Sequence, residues 1–348
     1  ERPALVARRV AEISAAGLKA LSLFLLGKLP TEEKGRSTAE SAAGYKEIIE
    51  GLGPAFMKVA QTLSTRADLI GDAMAAELGT LQDRAKPFPS ALALEIMRAE
   101  LGGDPLAVFE SIDEEPVAAA SLGQVYRARL RDGGNQVAVK VQRPNVLGRI
   151  AVDIYVLRAA LQLVKQVSGM SRDLRLIADE VGVGLFSELN YESEARNAEA
   201  FAEAHKNLGY VTVPKPLMEL TSERMLTMEW IEGASPASLF LEMDGAEGGR
   251  HGAAAEGVGG LGAAATTTAI GTFRASGADA DAREAARAKL RRMVDMGLAC
   301  SLNQLLSSGV MHADPHPGNL LLTSDGKLAY VDFGLLTRVT PRHRRGML

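Results

Sequence analysis

The stretch Met311–Leu322, MHADPHPGNLLL, packs two histidines, an aspartate and an asparagine into one short loop. Asn319 follows Asp314 by five residues, and Asp332 follows Asn319 by thirteen, in Asp332-Phe333-Gly334. Two carboxylates and an amide are hard oxygen donors. Such a set suits Mg2+, which takes one or two protein oxygens and fills its shell with phosphate and water. Phosphate also calls for a cation, and Lys140 ends the run VAVK. Zinc is the rival reading for His312 and His316. It needs three or four ligands, and no cysteine lies nearby. His312 is therefore expected to brace the loop by hydrogen bonds, and His316 to shape it between two prolines.

Such groups must be brought together by the elements that carry them. LLLTSDGKLAYVDFG reads as a hairpin turning at Asp325–Gly326, which delivers Asp332. PVAAASLGQVYRARL and QVAVKVQRP read as two strands joined by RDGGN. Ala118 to Val125 has the spacing of G-x-G-x-x-G-x-V. Ala118 and Ala120 take the places of the first two glycines, Gly123 keeps the third, and Ala119 and Ser121 lie between them. LTMEWIEG reads as a strand entering a hinge, with backbone groups of Glu229 and Ile231 at an adenine edge. Protein kinases use H-x-D-x-x-x-x-N followed by D-F-G in this order. In that arrangement Asn319 and Asp332 share the metal, Asp314 sits at the phosphoryl-transfer position and Lys140 meets the phosphates. The lysine needs an acidic partner, and FSELNYESEARNAEAF offers Glu188, Glu192, Glu194 and Glu199. Helical spacing alone does not choose among them.

The chain has 348 residues, 47% of them hydrophobic, enough for a sizeable core. A net charge of −4 leaves no electrostatic footprint for nucleic acid. The single cysteine, Cys300, excludes a disulfide framework and sits in an apolar helical pattern, so a buried thiol is expected. No run reaches the ~18 apolar residues of a membrane-spanning helix. The chain begins at Glu1, so a presequence is expected to be missing, and it runs only fourteen residues past Gly334, so a fragment is expected. RPALVARRVAEISAAGLKALSLFLLGKL has a basic side and an apolar side, and suits either an anionic membrane surface or packing against the rest of the chain. The expected fold class is α+β. A helical extension spans 1–110, a β-rich N-lobe and hinge 111–233, a Gly/Ala-rich disordered insertion 234–285, and a partial helical C-lobe 286–348.

These motifs together resemble the UbiB/ADCK family of atypical protein-kinase-like proteins, over nearly all of the chain outside the insertion. In that family AAASLGQV stands for the Gly-rich loop, VAVKVQRP carries the nucleotide lysine, and HADPHPGN is the catalytic loop. The resemblance implies an atypical kinase fold, with ATP and Mg2+ as cofactors. It implies Glu194 as the ion-pair partner of Lys140, by the family pattern E-x-D-Y-x-x-E-A. It also implies that Lys58 and Gln61 of KVAQ correspond to K-x-G-Q and point into the active site, where Glu188 and position 190 would meet Lys58. Two departures stand out. Ala60 replaces the glycine of K-x-G-Q, and Asn190 replaces the aspartate of E-x-D. The implied function is an ATPase or a small-molecule or lipid kinase in prenylquinone metabolism, with a prenyl lipid, a membrane surface and proteins of a biosynthetic complex as partners. The alternative is a nucleotide-binding pseudokinase scaffold. A conventional Ser/Thr kinase fits poorly, because the alanine loop and the occluding extension oppose it. EARNAEAF, LTMEWIEG, GLACSLNQLL and PRHRRG resemble the photosynthetic branch. That implies a plastid location at thylakoids or plastoglobules, with the mitochondrion as the alternative.

Overall fold

The computed structural model describes residues 3–25, 44, 47–49, 51–64, 75, 78, 87–168, 175–244, 278–314 and 316–347. The expected insertion falls mostly on 245–277, outside the described residues. Helices are numbered along the chain: α1 (Pro3–Leu25), α2 (Pro54–Ser64), α3 (Ser90–Leu101), α4 (Val146–Ser168), α5 (Arg175–Glu188), α6 (Tyr191–His205), α7 (Pro236–Asp244), α8 (Ala278–Asn303) and α9 (Pro341–Met347). The chain forms two compact units, Glu1–Asp83 with Pro144–Phe186, and Arg84–Arg143 with Ser187–Leu348.

The first unit is helical. Along α1, Val6, Arg9, Ile13, Ala16 and Ala20 are its less exposed positions, at alternating steps of three and four. Arg9 is buried and forks onto the buried carboxylate of Asp153 in α4, with Nη2 at 3.0 Å from Oδ2. It also reaches Glu12 at 2.8 Å and the carbonyl of Leu52. A bidentate pair of this kind fixes the register of α1 on α4. The basic residue on the inner side of α1 is thus used in packing. Among the described residues no helix is long and apolar enough to cross a membrane. In α2, Ala55, Met57 and Ala60 are buried and Lys58 is half-buried. Ala60 is buried, at 3% exposure.

The second unit carries the sheets. Its antiparallel sheet has the order β1 (Phe109–Ile112), β3 (Gly123–Leu130), β4 (Gln136–Gln142), β6 (Met225–Glu229), with β2 (Ala118–Ala119) paired to β3. Strand alternation sorts the faces. Val137, Val139 and Val141 of β4 join Tyr126 and Ala128 of β3 in a core with Ala93 and Met97 of α3. Ala138 points the other way, into a cluster with Val125, Leu226 and Met228 and with Tyr191 and Ala195 of α6. Lys140 shares that second face.

A second sheet has the order β5 (Val211–Thr212), β10 (Leu328–Tyr330), β9 (Leu320–Thr323), β7 (Gly233–Ala234). β8 (Val310–His312) pairs with β11 (Leu336–Arg338). The core joins Met293, Met296 and Cys300 of α8 to Phe201, Tyr330 and Phe333. By sequence, YVTVPKPLMEL reads as a further strand and the stretch from about Ala282 to Ser308 as a strong helix; the structure changes both. YVTVPKPLMEL yields only the short β5, a single bridge from Pro216 to Met228 and a turn of 3-10 helix at Met218–Leu220, because Pro214 and Pro216 cannot donate to a ladder. The helix expected to reach Ser308 ends at Asn303 and widens into a π turn, Gln304–Ser308, closed by Gly309 at φ 68°.

Candidate active site

Lys140 Nζ lies 2.8 and 2.9 Å from the two carboxylate oxygens of Glu194, and 3.1 Å from Oδ2 of Asp332. Asn190 begins the element that presents Glu194. Its side-chain oxygen accepts from the Ser193 amide at 2.8 Å, capping α6. The buried side of α6 then carries Tyr191, Glu194, Ala195, Ala198, Phe201 and His205, at helical spacing. Glu192 and Glu199 fall off that stripe, and Glu188 ends the preceding helix. Helix phase against a buried sheet face therefore selects Glu194. The implied role of position 190 toward Lys58 is a separate matter: the Asn190 oxygen is engaged by its own helix.

The three side chains grade from closed to open. Glu194 is 2% exposed, Lys140 13% and Asp332 31%. Burial alone would discharge Lys140, but Asp332 and Glu194 outweigh it and hold the ammonium well above the ordinary lysine value. Burial pushes Glu194 up to about 7, against the pull of Lys140. Burial also opposes ionisation of Asp332, yet Lys140 and the Gly334 amide, 3.0 Å from Oδ1, bring it down to about 2. The Tyr191 ring lies under the ammonium, 5.0 Å from Nζ.

The thirteen-residue step from Asn319 to Asp332 is closed by the β9–β10 hairpin, in which Leu322 pairs with Leu328 and Tyr330 with Leu320. The Val331 amide donates to the Asn319 carbonyl at 3.1 Å, so the two metal-type residues are tied side by side. Asn319 Nδ2 donates to the Asp314 carbonyl at 3.2 Å, so its amide nitrogen is held away and its oxygen is turned free of that bond. His312 braces the loop as expected. Its Nδ1 accepts from the Asp314 amide at 3.2 Å, so Nε2 carries the proton donated to the Asp332 carbonyl. His316 Nδ1 accepts from Gly318 at 3.0 Å. Among the described residues no group of three or more His, Cys, Asp or Glu can hold an ion.

The alanine loop is a tight turn between β2 and β3. Ala118 pairs with Val125, and the Ala120 amide donates to the Gly123 carbonyl at 2.8 Å. Gly123 is required by space: a Cβ there would sit 2.6 Å from the Val141 carbonyl oxygen and collide with the Tyr191 hydroxyl. Arg143, which the motif reading passed over, fastens this turn. Its guanidinium donates to the Ala120 carbonyl at 3.2 Å, and its amide to Leu122 at 2.8 Å. The signal was its position one residue beyond β4, where a strand end meets the loop. Gln304 was also missed. Its Oε1 accepts from the His312 amide at 2.9 Å, a bond that the π turn aims. Asn197 Nδ2 donates to the Phe333 carbonyl at 3.0 Å and ties α6 to Asp332-Phe333-Gly334.

A mostly apolar cleft is lined by Ala138, Met228, Glu229, Trp230, Ile231 and Val331, among others. Glu229 gives its amide to the Lys215 carbonyl at 2.9 Å. Lys58 belongs to the first unit, and the Gln61 side chain lies outside the described residues.

The ABC1 atypical kinase-like domain family matches residues 80–256 and 264–348. An uncharacterized protein of Synechocystis is 38% identical over 93% of this chain and 41% of its own length. An uncharacterized aarF domain-containing protein kinase of Arabidopsis thaliana, chloroplastic, is 35% identical over 100% of this chain and 43% of its own. The chloroplastic Activity of BC1 Complex Kinase 3 of Arabidopsis thaliana is 38% identical over 97% of this chain and 42% of its own. The chain thus spans less than half the length of these relatives. A Mycobacterium tuberculosis protein solved in complex with erythromycin shares the fold, with TM-score 0.52 and 22% identity over 97% of this chain and 68% of that one. The chain belongs to the ABC1 atypical kinase-like family, the UbiB/ADCK proteins, in the branch that includes chloroplast and cyanobacterial members.

Proposed function

We propose that this protein binds ATP with Mg2+ and acts as an ATPase or a small-molecule or lipid kinase serving prenylquinone metabolism in plastids. One observation carries the reading: a buried lysine held jointly by Glu194 and by the aspartate of D-F-G, 2.8 and 3.1 Å away. Kinase-type phosphoryl transfer needs both of those partners in place. In this reading Lys140 receives the α- and β-phosphates, and the turn from Ala118 to Gly123, with Ser121, covers them. Carbonyl and amide groups of Glu229 and Ile231 meet the base. Asp332 and Asn319 are the hard oxygen donors for Mg2+, and the donor set fits an ion that draws the rest of its shell from phosphate and water. Bound there, Mg2+ would neutralise charge developing on the phosphates. Asp314 orients the attacking hydroxyl or water. Lys58 and Gln61 approach the same site by family resemblance. The membrane and prenyl-lipid partnership and the thylakoid or plastoglobule location rest on the same resemblance.

The test is Mg2+-dependent ATP binding and hydrolysis by the protein and its Asp332→Asn variant, with and without liposomes carrying a prenylquinone. Hydrolysis lost in the variant and raised by the liposomes supports the proposal. Binding without Asp332-dependent turnover replaces it with a nucleotide-gated scaffold.

A further inference from the structure

The turn from Ala118 to Gly123 is held from behind. Val137, Val139 and Val141 of β4 share a core with Phe88, and Lys140 points to the opposite face. Arg143, two residues beyond Val141, keeps the side of the valines. Its guanidinium stacks on the Phe88 ring, 5.3 Å from the centroid. From there it donates to the Ala120 carbonyl at 3.2 Å, and its backbone amide donates to the Leu122 carbonyl at 2.8 Å. The two carbonyls flanking Ser121 therefore end on one residue.

Phe88 is itself fixed. Gln124 follows Gly123, and its buried side chain holds the Phe88 backbone twice: the Phe88 amide donates to Oε1 at 3.1 Å, and Nε2 donates to the Phe88 carbonyl at 3.2 Å. Nε2 also meets the Tyr126 hydroxyl, which donates to Ser90 Oγ at 3.1 Å, at the start of α3. The circuit runs from Ala120 to Arg143, to Phe88, to Gln124 and back along the chain to Gly123. Gln124 alternates with Val125 and so shares the face of Tyr126 and Ala128. Arg143, Phe88 and Gln124 thus shape the turn from the face away from Lys140.

We propose that Arg143 is a positioning residue for nucleotide binding: it fixes the turn from Ala118 to Gly123 in one conformation before the phosphates arrive, and Phe88 and Gln124 fix Arg143. This rests on the ATP reading above and adds what shapes the turn over the phosphates. A turn already ordered loses little freedom when it closes on a ligand, whereas one released from Arg143 must be ordered by the binding itself.

The test compares wild type, Arg143→Met, Phe88→Leu and the double variant. Methionine keeps much of the stem against Phe88 and removes the side-chain donor. Amide hydrogen exchange is measured without nucleotide, and ATP affinity by calorimetry in the presence of Mg2+. In Arg143→Met, exchange over residues 118–123 should speed about 5- to 30-fold, the entropy of one loosened backbone residue, and ATP should weaken by a similar factor. Exchange over β9 and β10 should stay as in wild type. Phe88→Leu, which leaves the arginine charge in place, should move both readouts the same way, and the double variant should bind ATP no more weakly than Arg143→Met. Faster exchange throughout the second unit makes Arg143 a stability residue only and overturns the proposal. So does weakened ATP with the exchange of the turn unchanged, since Arg143 would then act on the ligand directly. ATP binding indifferent to Arg143→Met sinks this inference alone. Wild-type protein that binds no ATP sinks the nucleotide reading and the inference with it.

Discussion

Replacing Lys140 by Met keeps most of the buried stem and removes the charge. Glu194 and Asp332 each lie about 3 Å from Nζ, so the variant leaves two carboxylates within about 6 Å of one another; at an effective dielectric of about 20 they repel by about 3 kcal/mol. That agrees with the usual cost, about 3–5 kcal/mol, of orphaning one side of a buried pair. For a unit of this size the melting temperature should fall by about 6–12 °C at pH 8. The pH dependence is diagnostic. In the wild-type fold Glu194 titrates near 7, above its ordinary 4.5, so its protonated form is the one that folding favours. That contribution is fully present below about 4.5 and is lost as pH rises through 7. Without Lys140 the value moves higher still. At pH 5.5 the glutamate of the variant is protonated, the repulsion is gone, and the gap to wild type should shrink by at least half. Asp332 has the opposite sign. Its contribution is present above its ordinary 3.8 and is lost as pH falls toward 2, outside the assay range. Thermal denaturation of both proteins at pH 8 and 5.5 decides it. The same deficit at both values refutes the electrostatic account and assigns the loss to packing. No deficit at pH 8 refutes the triad itself.

Two further substitutions probe how the site is built. Gly123→Ala should destabilise the second unit by about 1–3 kcal/mol, because its methyl would sit 2.6 Å from the Val141 carbonyl oxygen. Adding Tyr191→Phe should recover only part of that loss in a urea titration, since the carbonyl contact remains; full recovery would point to the hydroxyl alone. Asn190→Ala should cost about 1 kcal/mol by uncapping α6, whereas Asn190→Asp should hold stability or raise it, because a carboxylate at a helix N-terminus caps and also meets the dipole. Equal unfolding midpoints for Ala and Asp would show that the cap contributes nothing.

Much of the site was legible because its chemistry is local. Asp314, Asn319 and Asp332 are oxygen donors at fixed spacing, and the turn at Asp325–Gly326 that closes the longer step is a short-range signal; Gly326 does adopt φ 75°. Lys140 was legible because alternation along QVAVKVQ places it opposite three valines. The end of α8 was not. An apolar helical pattern runs through Gln304, and nothing within it announces a wider turn. Only the His312 amide, brought alongside by β8, shows what that turn serves. The strand expected over Tyr210–Leu220 failed for a local reason, since Pro214 and Pro216 outweigh the β-branched residues around them.

Residue types, spacing and strand alternation by themselves determined the order of the elements and the identities of the charged groups, and the motifs so formed carried the resemblance to the family. Those depend on short stretches of chain, where geometry follows from the backbone. Helical spacing left four glutamates open and the family pattern pointed to Glu194; the use of Asn190 as a cap and the hold of Arg143 on the alanine turn were decided only by tertiary structure. Each depends on which face of one element lies buried against another. That phase is set by packing between residues distant in the chain, and no local pattern encodes it.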